Sequence, residues 1–331
     1  MWWWILGAAL VATIVHGAVS TVRDRRIARS LNGLAAEGRH SEVLDHPMPS
    51  RANRQSARVL QAFSAVLTGR YAVALVLLGP PGTRVRGLAD PAVDVLVRAV
   101  ALVGLGRYAQ AAALLGDRPD QPELRRLRAQ VAIEVGEDSL AEELLRAPDS
   151  DLMGEAGRRR ILGQLRLRQG HRSEGQALVR EARSLSAGVD HYGKDVDQAY
   201  CSLLLGRAAL HDGRLDEALP LVEQGLLGMR ARPDHAPGLA EAHALAAEAT
   251  AGAGDPVAAE EHLRQAREQA LLCGSDALDA EIVRSAAMVA LRLGHAGEAE
   301  ARLREAVRLH EALGARPTAD ELRQALSSLT A

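Results

Sequence analysis

Aromatic side chains are scarce in this 331-residue chain: phenylalanine, tryptophan and tyrosine together make up 2% of it, and Phe63 is the single phenylalanine. A compact core built on large rings is therefore excluded, as is a ladder of rings for stacking single-stranded nucleic acid. Only two cysteines occur, Cys201 and Cys273, far apart and outside any C-x-x-C spacing. That is too few for a disulfide scaffold or a zinc site, and both are expected as small residues buried between helices. Lys194 is the only lysine among 40 basic residues, and a net charge of −2 gives no overall attraction to nucleic acid. The 11 histidines contain no H-E-x-x-H, and His40, His171, His211 and His295 fall beside turn glycines, where exposure is expected. No serine or cysteine has a recognisable catalytic companion in sequence. The chain reads as a non-enzyme with no cofactor and no metal.

What is present is helical. Hydrophobic residues are 47% and charged residues 25%, a globular balance dominated by alanine, leucine, arginine and glutamate. Residues 2–22 form a run of 21 without a formal charge, opened by Trp2, Trp3 and Trp4 and followed by Arg23, Arg25, Arg26 and Arg29. As a helix it would be roughly 31 Å long, the thickness of a hydrocarbon core. Arginines on its C-terminal side place that side in the cytoplasm. A cleaved signal peptide is the rival reading, with residues 18–20 as the cut, but its positive charges should precede the apolar run. The expected localisation is thus the cell membrane, single-pass, with the remainder cytoplasmic.

A glycine-centred pattern recurs through that remainder. Gly38, Gly69, Gly106, Gly136, Gly170, Gly213, Gly254 and Gly294 share one frame. Five residues after them stand Val43, Ala74, Ala111, Ala141, Gly175, Ala218, Ala259 and Ala299. Nine after come Pro47, Leu78, Leu115, Leu145, Val179, Val222, Leu263 and Leu303. Seven before lie Leu31, Ala62, Ala99, Ala129, Gly163, Gly206, Ala247 and Ala287. The pattern describes two helices whose small residues face each other and let the backbones close up. A left-handed glycine ends the first helix and an aliphatic fills the seam. One such pair cannot bury a core alone, so pairs stack into a solenoid.

This frame resembles the tetratricopeptide repeat. Residues 205–226, "LGRAALHDGRLDEALPLVEQGL", carry the leucine-glycine, the turn glycine, the "DEA" alanine and the later aliphatic, and Tyr71 and Tyr108 match an aromatic two after the glycine. The resemblance spans about residues 27–309. It implies an all-α fold, a tetratricopeptide-like (TPR-like) helical-hairpin solenoid preceded by one transmembrane helix. The expected divisions are 1–26 for the anchor and basic flank, 27–183 for short-period repeats, 184–317 for long-period repeats and 318–331 for a capping helix. Second helices of the short repeats should stop at Gly79, Gly116 and Pro148. The later repeats also resemble those of large actinobacterial ATP-dependent transcription regulators, without room for their nucleotide-binding or DNA-reading domains.

Three stretches imitate other chemistry. Residues 71–87 resemble a strand and phosphate loop, but Arg84, Val85 and Arg86 stand where Gly-Lys-Ser/Thr is required. Gly104, Gly106 and Ala109 fit a dinucleotide fingerprint with no β-α-β unit around it. Residues 157–172 hold six arginines and no acid, which reads as a solvated helix face or a basic patch.

In the resembled family the first helices line a concave groove. The corresponding positions lie thirteen, ten, six, three and two before each turn glycine. In the early repeats they give an apolar lining of Val59, Phe63, Val66, Val93, Leu96, Val100 and Val103. In the middle repeats they give Arg126, Gln130, Arg160, Gln164, Leu167, Arg168, Tyr200 and Arg207. Arg126/Gln130 and Arg160/Gln164 share an i, i+4 face, and arginine forks suit a carboxylate. The pairs resemble the carboxylate clamp of some tetratricopeptide domains, with glutamine in place of asparagine. The partner-binding residues are therefore expected to be Arg126, Gln130, Arg160, Gln164, Arg168, Tyr200 and Arg207. The partner would be a protein or peptide, acidic or presented by its C-terminus, with no nucleic acid. The architecture resembles bacterial inner-membrane repeat scaffolds, minus the metal-binding cysteine module that one such family carries. A ligand-sensing regulatory module and an extracytoplasmic binding protein are the alternatives.

Overall fold

The computed structural model describes residues 22–46, 54–80, 91–116, 121–189 and 194–330, and every regular element among them is an α-helix. They form eight antiparallel hairpins and a last single helix. The first four are α1 (Val22–Ala36) with α2 (His40–Asp45), α3 (Arg54–Leu67) with α4 (Tyr71–Leu78), α5 (Pro91–Gly104) with α6 (Tyr108–Leu115), and α7 (Pro122–Val135) with α8 (Asp138–Leu145). The next four are α9 (Leu152–Arg168) with α10 (Arg172–Ala187), α11 (Lys194–His211) with α12 (Leu215–Arg230), α13 (Ala236–Gly252) with α14 (Pro256–Cys273), and α15 (Asp276–Arg292) with α16 (Ala296–Leu313). The chain closes with α17 (Arg316–Thr330), which covers the last hairpin. The described residues thus form an all-α, TPR-like helical repeat.

All eight frame glycines take positive φ, between 71° and 87°, the conformation that lets each first helix stop and the chain reverse. Ala62, Ala99, Ala129, Ala247 and Ala287 on first helices are fully buried, as are Ala74, Ala111, Ala141, Ala259 and Ala299 on second helices. Where the fifth hairpin has Gly163 and Gly175 instead, the backbones come closer still. A Cβ built on Gly175 would lie 2.8 Å from the Leu167 backbone nitrogen and 2.9 Å from the Gly163 carbonyl oxygen. Among the frame's aliphatics, Pro47 lies outside the described residues.

Three boundaries differ from the sequence reading. The fourth short helix, α8, ends at Leu145 rather than at Pro148, because the chain turns there to let Asp149 reach α7. Long helices begin with α9 and α10, 17 and 16 residues, one hairpin earlier than the glycine spacing suggests. The capping helix runs from Arg316 to Thr330, starting two residues ahead of the expected 318, with Pro317 in its first turn. Among the described residues no helix is long and apolar enough to cross a membrane, and the apolar run at 2–22 lies outside them except for its last residue.

The superhelix winds tightly enough to meet itself. A Cβ on Gly69, the second turn, would sit 2.7 Å from Cys273 Sγ and from Pro237 in the seventh hairpin. Gly106, the third turn, abuts Leu313 and Ala277 in the eighth, and Gly136, the fourth, abuts Pro317 of α17. Ser275 Oγ donates to the Gly104 carbonyl at 2.5 Å, and His235 Nδ1 lies 2.9 Å from the Leu67 carbonyl oxygen. Each early turn therefore stacks on the hairpin five further along. Only a small residue fits such a seam.

Candidate docking face inside the superhelix

Closure of the seam corrects the expected apolar groove. Val59, Phe63, Val66, Val93 and Leu96 are each 4% exposed or less, and Val100 and Val103 are packed against the same cluster. That cluster runs on through Val196, Leu203, Leu239 and Leu245 on the later helices. These side chains are core, covered because a turn of five hairpins brings α11 and α13 against them. Tyr71, the family-like aromatic, is buried with its ring against Gly104, which explains the first glycine of the apparent dinucleotide fingerprint. Gly106 supplies the turn, and residues 71–78 of the apparent phosphate loop are helical. Residues 81–90, with Arg84, Val85 and Arg86, lie outside the described residues.

Most of the basic run on α9 is neutralised locally. Arg158 and Arg159 pair with Glu155, Arg166 with Glu142 and Glu174, Arg168 with Asp138, and Arg172 with Asp212. The Arg158 and Arg159 forks outweigh the cost of burial and hold the Glu155 carboxyl down to about 2. A run so thoroughly paired offers little to a phosphate backbone. Arg160 is the exception.

The expected binding residues separate into two groups. Arg126 is 1% exposed and turns away to Asp149, itself wholly buried, which also accepts from Arg125 at 2.8 Å. It anchors the loop before α9 and is out of reach of a partner. Arg168 is spent on the α7–α8 turn, donating to the Ile133 carbonyl and to Asp138. The repeated Arg/Gln pairing is thus broken in its first copy, where Gln130 instead donates to Glu134 at 2.8 Å. Arg160, Gln164, Tyr200 and Arg207 remain on the inner face. The Arg160 guanidinium lies 5.9 Å from the Tyr200 ring centre, a cation–π contact. Tyr200 Oη is 3.1 Å from His235 Nε2, and Arg207 reaches across to Glu281 on α15 at 2.5 Å.

The later helices bring acids to the same face. Glu134 of α7, Glu241 of α13 and Glu281 of α15 share one field with Arg160 and Arg207. Burial pushes Glu241 up to about 7; Arg207 and Arg160 pull it down, while Glu281 and Glu134 push it up. After burial, its charge helps to push up Tyr71, Tyr108, Tyr200 and Cys273. Burial opposes the ionised form of Glu281 as well, but Arg207 and Arg284 hold it well below the usual range. Arg284 also pairs with Glu248 at 3.0 Å, and Ser285 donates to Glu248 at 2.7 Å.

Glu241, Glu281, Arg284 and Glu248 were missed by reading the groove positions only through the sixth repeat. The offsets thirteen, ten and six before Gly254 and Gly294 find all four. His40 also departs from expectation: it is 3% exposed, with Nδ1 3.1 Å from Ser64 Oγ, whereas His171, His211 and His295 are exposed. Both cysteines are buried free thiols.

No family model matches the chain, and no curated protein matches it. Among solved structures it is similar to a Rap protein crystallised in complex with Competence and Sporulation Factor. The TM-score is 0.56 at 10% identity, over 92% of this chain and 98% of that one. At that identity the likeness is one of fold, and it sets this chain among all-α helical repeats.

Proposed function

We propose that the protein is a scaffold that docks a peptide or protein segment on the inner face of its superhelix, held at a membrane by residues 2–22. It works by binding rather than by turnover. The observation that carries the reading is a set of polar side chains that packing does not use: among the described residues, Arg160, Gln164 and Glu241 make no hydrogen bond or ion pair on this face. All three are partly exposed and none of their polar atoms is a buried orphan, so they stand open to a ligand. Support also comes from the fold, shared with a Rap protein solved in complex with a second component. The anchor rests on 21 uncharged residues flanked by tryptophans and arginines, which favours a cytoplasmic repeat domain.

Cross-linking tests both parts. A photoreactive residue at Gln164, in full-length chain in native membranes, should yield a discrete adduct that Arg160→Glu abolishes. The same group at Leu227, 70% exposed on the outer surface, should not. Adducts from 227 alone would overturn the reading. Extraction by alkaline carbonate would remove the anchor from it, and protease resistance of the repeats in intact cells is expected for a cytoplasmic array.

A further inference from the structure

One side chain ties the inner face to the other turn of the superhelix. His235, immediately before α13, is 7% exposed and bridges two helices that are far apart in sequence. Its Nδ1 lies 2.9 Å from the Leu67 carbonyl oxygen at the end of α3, and its Nε2 lies 3.1 Å from Tyr200 Oη on α11. Burial pushes the ring down to about 4, so it is neutral at pH 7 and carries one N–H. A carbonyl oxygen can only accept, which puts that hydrogen on Nδ1. Nε2 is then bare and accepts from the Tyr200 hydroxyl. The place of the imidazole is built into α13 as well. A Cβ on Gly238, in the first turn, would stand 2.5 Å from His235 Cδ2 and 2.9 Å from its Nε2. A side chain there would push the ring off its partners, so the position takes glycine at a cost in helix propensity.

Tyr200 carries the connection onward. Its ring meets the imidazole edge-on, with centroids 6.0 Å apart and planes at 79°, and the Arg160 guanidinium lies 5.9 Å from its centre. Among the described residues Arg160 makes no hydrogen bond or ion pair, so the ring places the guanidinium without spending a donor. Resting on the inner-face docking reading, we infer that His235 is a positioning residue of the docking site: anchored on the Leu67 carbonyl of the first superhelical turn, it fixes the Tyr200 hydroxyl of the second, and through that ring it seats Arg160 for its ligand. A ring bonded at its hydroxyl cannot swing, and a ring in one place holds the guanidinium in one place. Docking then orders less of the site, which favours binding. His235 touches no ligand itself. Its effect on docking runs wholly through Tyr200.

Phenylglyoxal modification, followed at each arginine by mass spectrometry on the full chain in detergent micelles, reads the seat of Arg160 without any ligand. His235→Phe keeps a ring but loses both bonds, and Arg160 should react about threefold faster, the scale of an exposed cation–π contact. Tyr200→Phe keeps the ring beside Arg160 and removes only the hydroxyl. It should do the same, and the double variant should be no faster than either. Should His235→Phe not fold, Tyr200→Phe carries the test alone. His235→Gln should react as the parent does, since its amide can donate to Leu67 and accept from Tyr200. Arg183 of α10, which makes no hydrogen bond or ion pair among the described residues, should keep one rate throughout. A parental Arg160 rate in either phenylalanine variant overturns the inference, as do rates that multiply in the double variant. A His235→Gln protein that reacts like His235→Phe, or a parallel rise at Arg183, overturns it too. In native membranes the adduct from position 164 should fall about threefold with either phenylalanine variant. A faster Arg160 with an undiminished adduct sinks the inference and leaves docking standing; no adduct from the parent sinks both.

Discussion

Replacing Gly175 by alanine asks whether backbone contact sets the geometry of the fifth hairpin. Alanine is the residue that most other hairpins place here, and glycine in a helix interior costs about 1 kcal/mol relative to it. Propensity alone therefore predicts a gain. The new Cβ would stand 2.7 Å from Leu167 Cγ, 2.8 Å from the Leu167 nitrogen and 2.9 Å from the Gly163 oxygen. Two of those neighbours are main chain and cannot rotate aside, so α9 and α10 must part. Overpacking of this kind costs about 1–3 kcal/mol, and with rigid neighbours the upper end applies. After the propensity gain, the net loss is about 1–2 kcal/mol, or about 3–6 °C in melting temperature on the scale for domains of 150–250 residues. Gly33→Ala is the control, since nothing lies within 4 Å of its Cβ inside α1; it should gain about 0.5–1 kcal/mol. Melting followed by far-ultraviolet circular dichroism distinguishes the two. If Gly175→Ala melts at or above the parent, close backbone approach is not what the small residues are for.

Asp149→Asn removes the buried counter-charge of Arg126, leaving only the partly exposed Glu123 at 3.9 Å, and should cost about 3–5 kcal/mol in urea unfolding, while cross-linking from position 164 persists in the folded protein; a loss under about 1 kcal/mol would show the pair to be dispensable. Burial pushes both His40 and His235 down to about 4, against 6.5 for an unperturbed imidazole. The unfolded chain therefore binds protons that the folded chain refuses, and stability falls as pH drops from 6.5 to about 4, by up to about 3 kcal/mol for each histidine. His235→Gln should flatten that part of the profile; an unchanged slope would count against the burial argument. At Gly69, φ is +79° and a Cβ would strike Cys273 Sγ and Pro237. Gly69→Ala should loosen the seam and expose Cys273, which is 4% exposed, to alkylation by iodoacetamide. An unaltered alkylation rate would mean that the two superhelical turns do not depend on this contact.

Much of the fold is legible without coordinates because each hairpin is a local object. A glycine that must take positive φ, a small residue seven before it and another five after it are set by contacts within one hairpin. Gly38 through Gly294 therefore announce themselves in the sequence. The candidate site was legible only in part. Position in the frame finds Arg160, Gln164, Tyr200 and Arg207, and, extended by two repeats, Glu241 and Glu281. Frame position does not reveal which of them is already occupied. Arg126 and Arg160 stand at equivalent offsets, yet Asp149, held on a loop, claims the first, whereas the second meets only the Tyr200 ring.

The sequence by itself determined the helical repeat and the reversal at each glycine, since these follow from neighbours within about forty positions. The superhelical pitch was decided only in three dimensions. Small rotations between successive hairpins add up until the second turn lies against the seventh hairpin, and no local pattern records that sum. Closure converts Phe63 and Val66 from groove to core, and it draws acids from α13 and α15 to the arginines of α9 and α11.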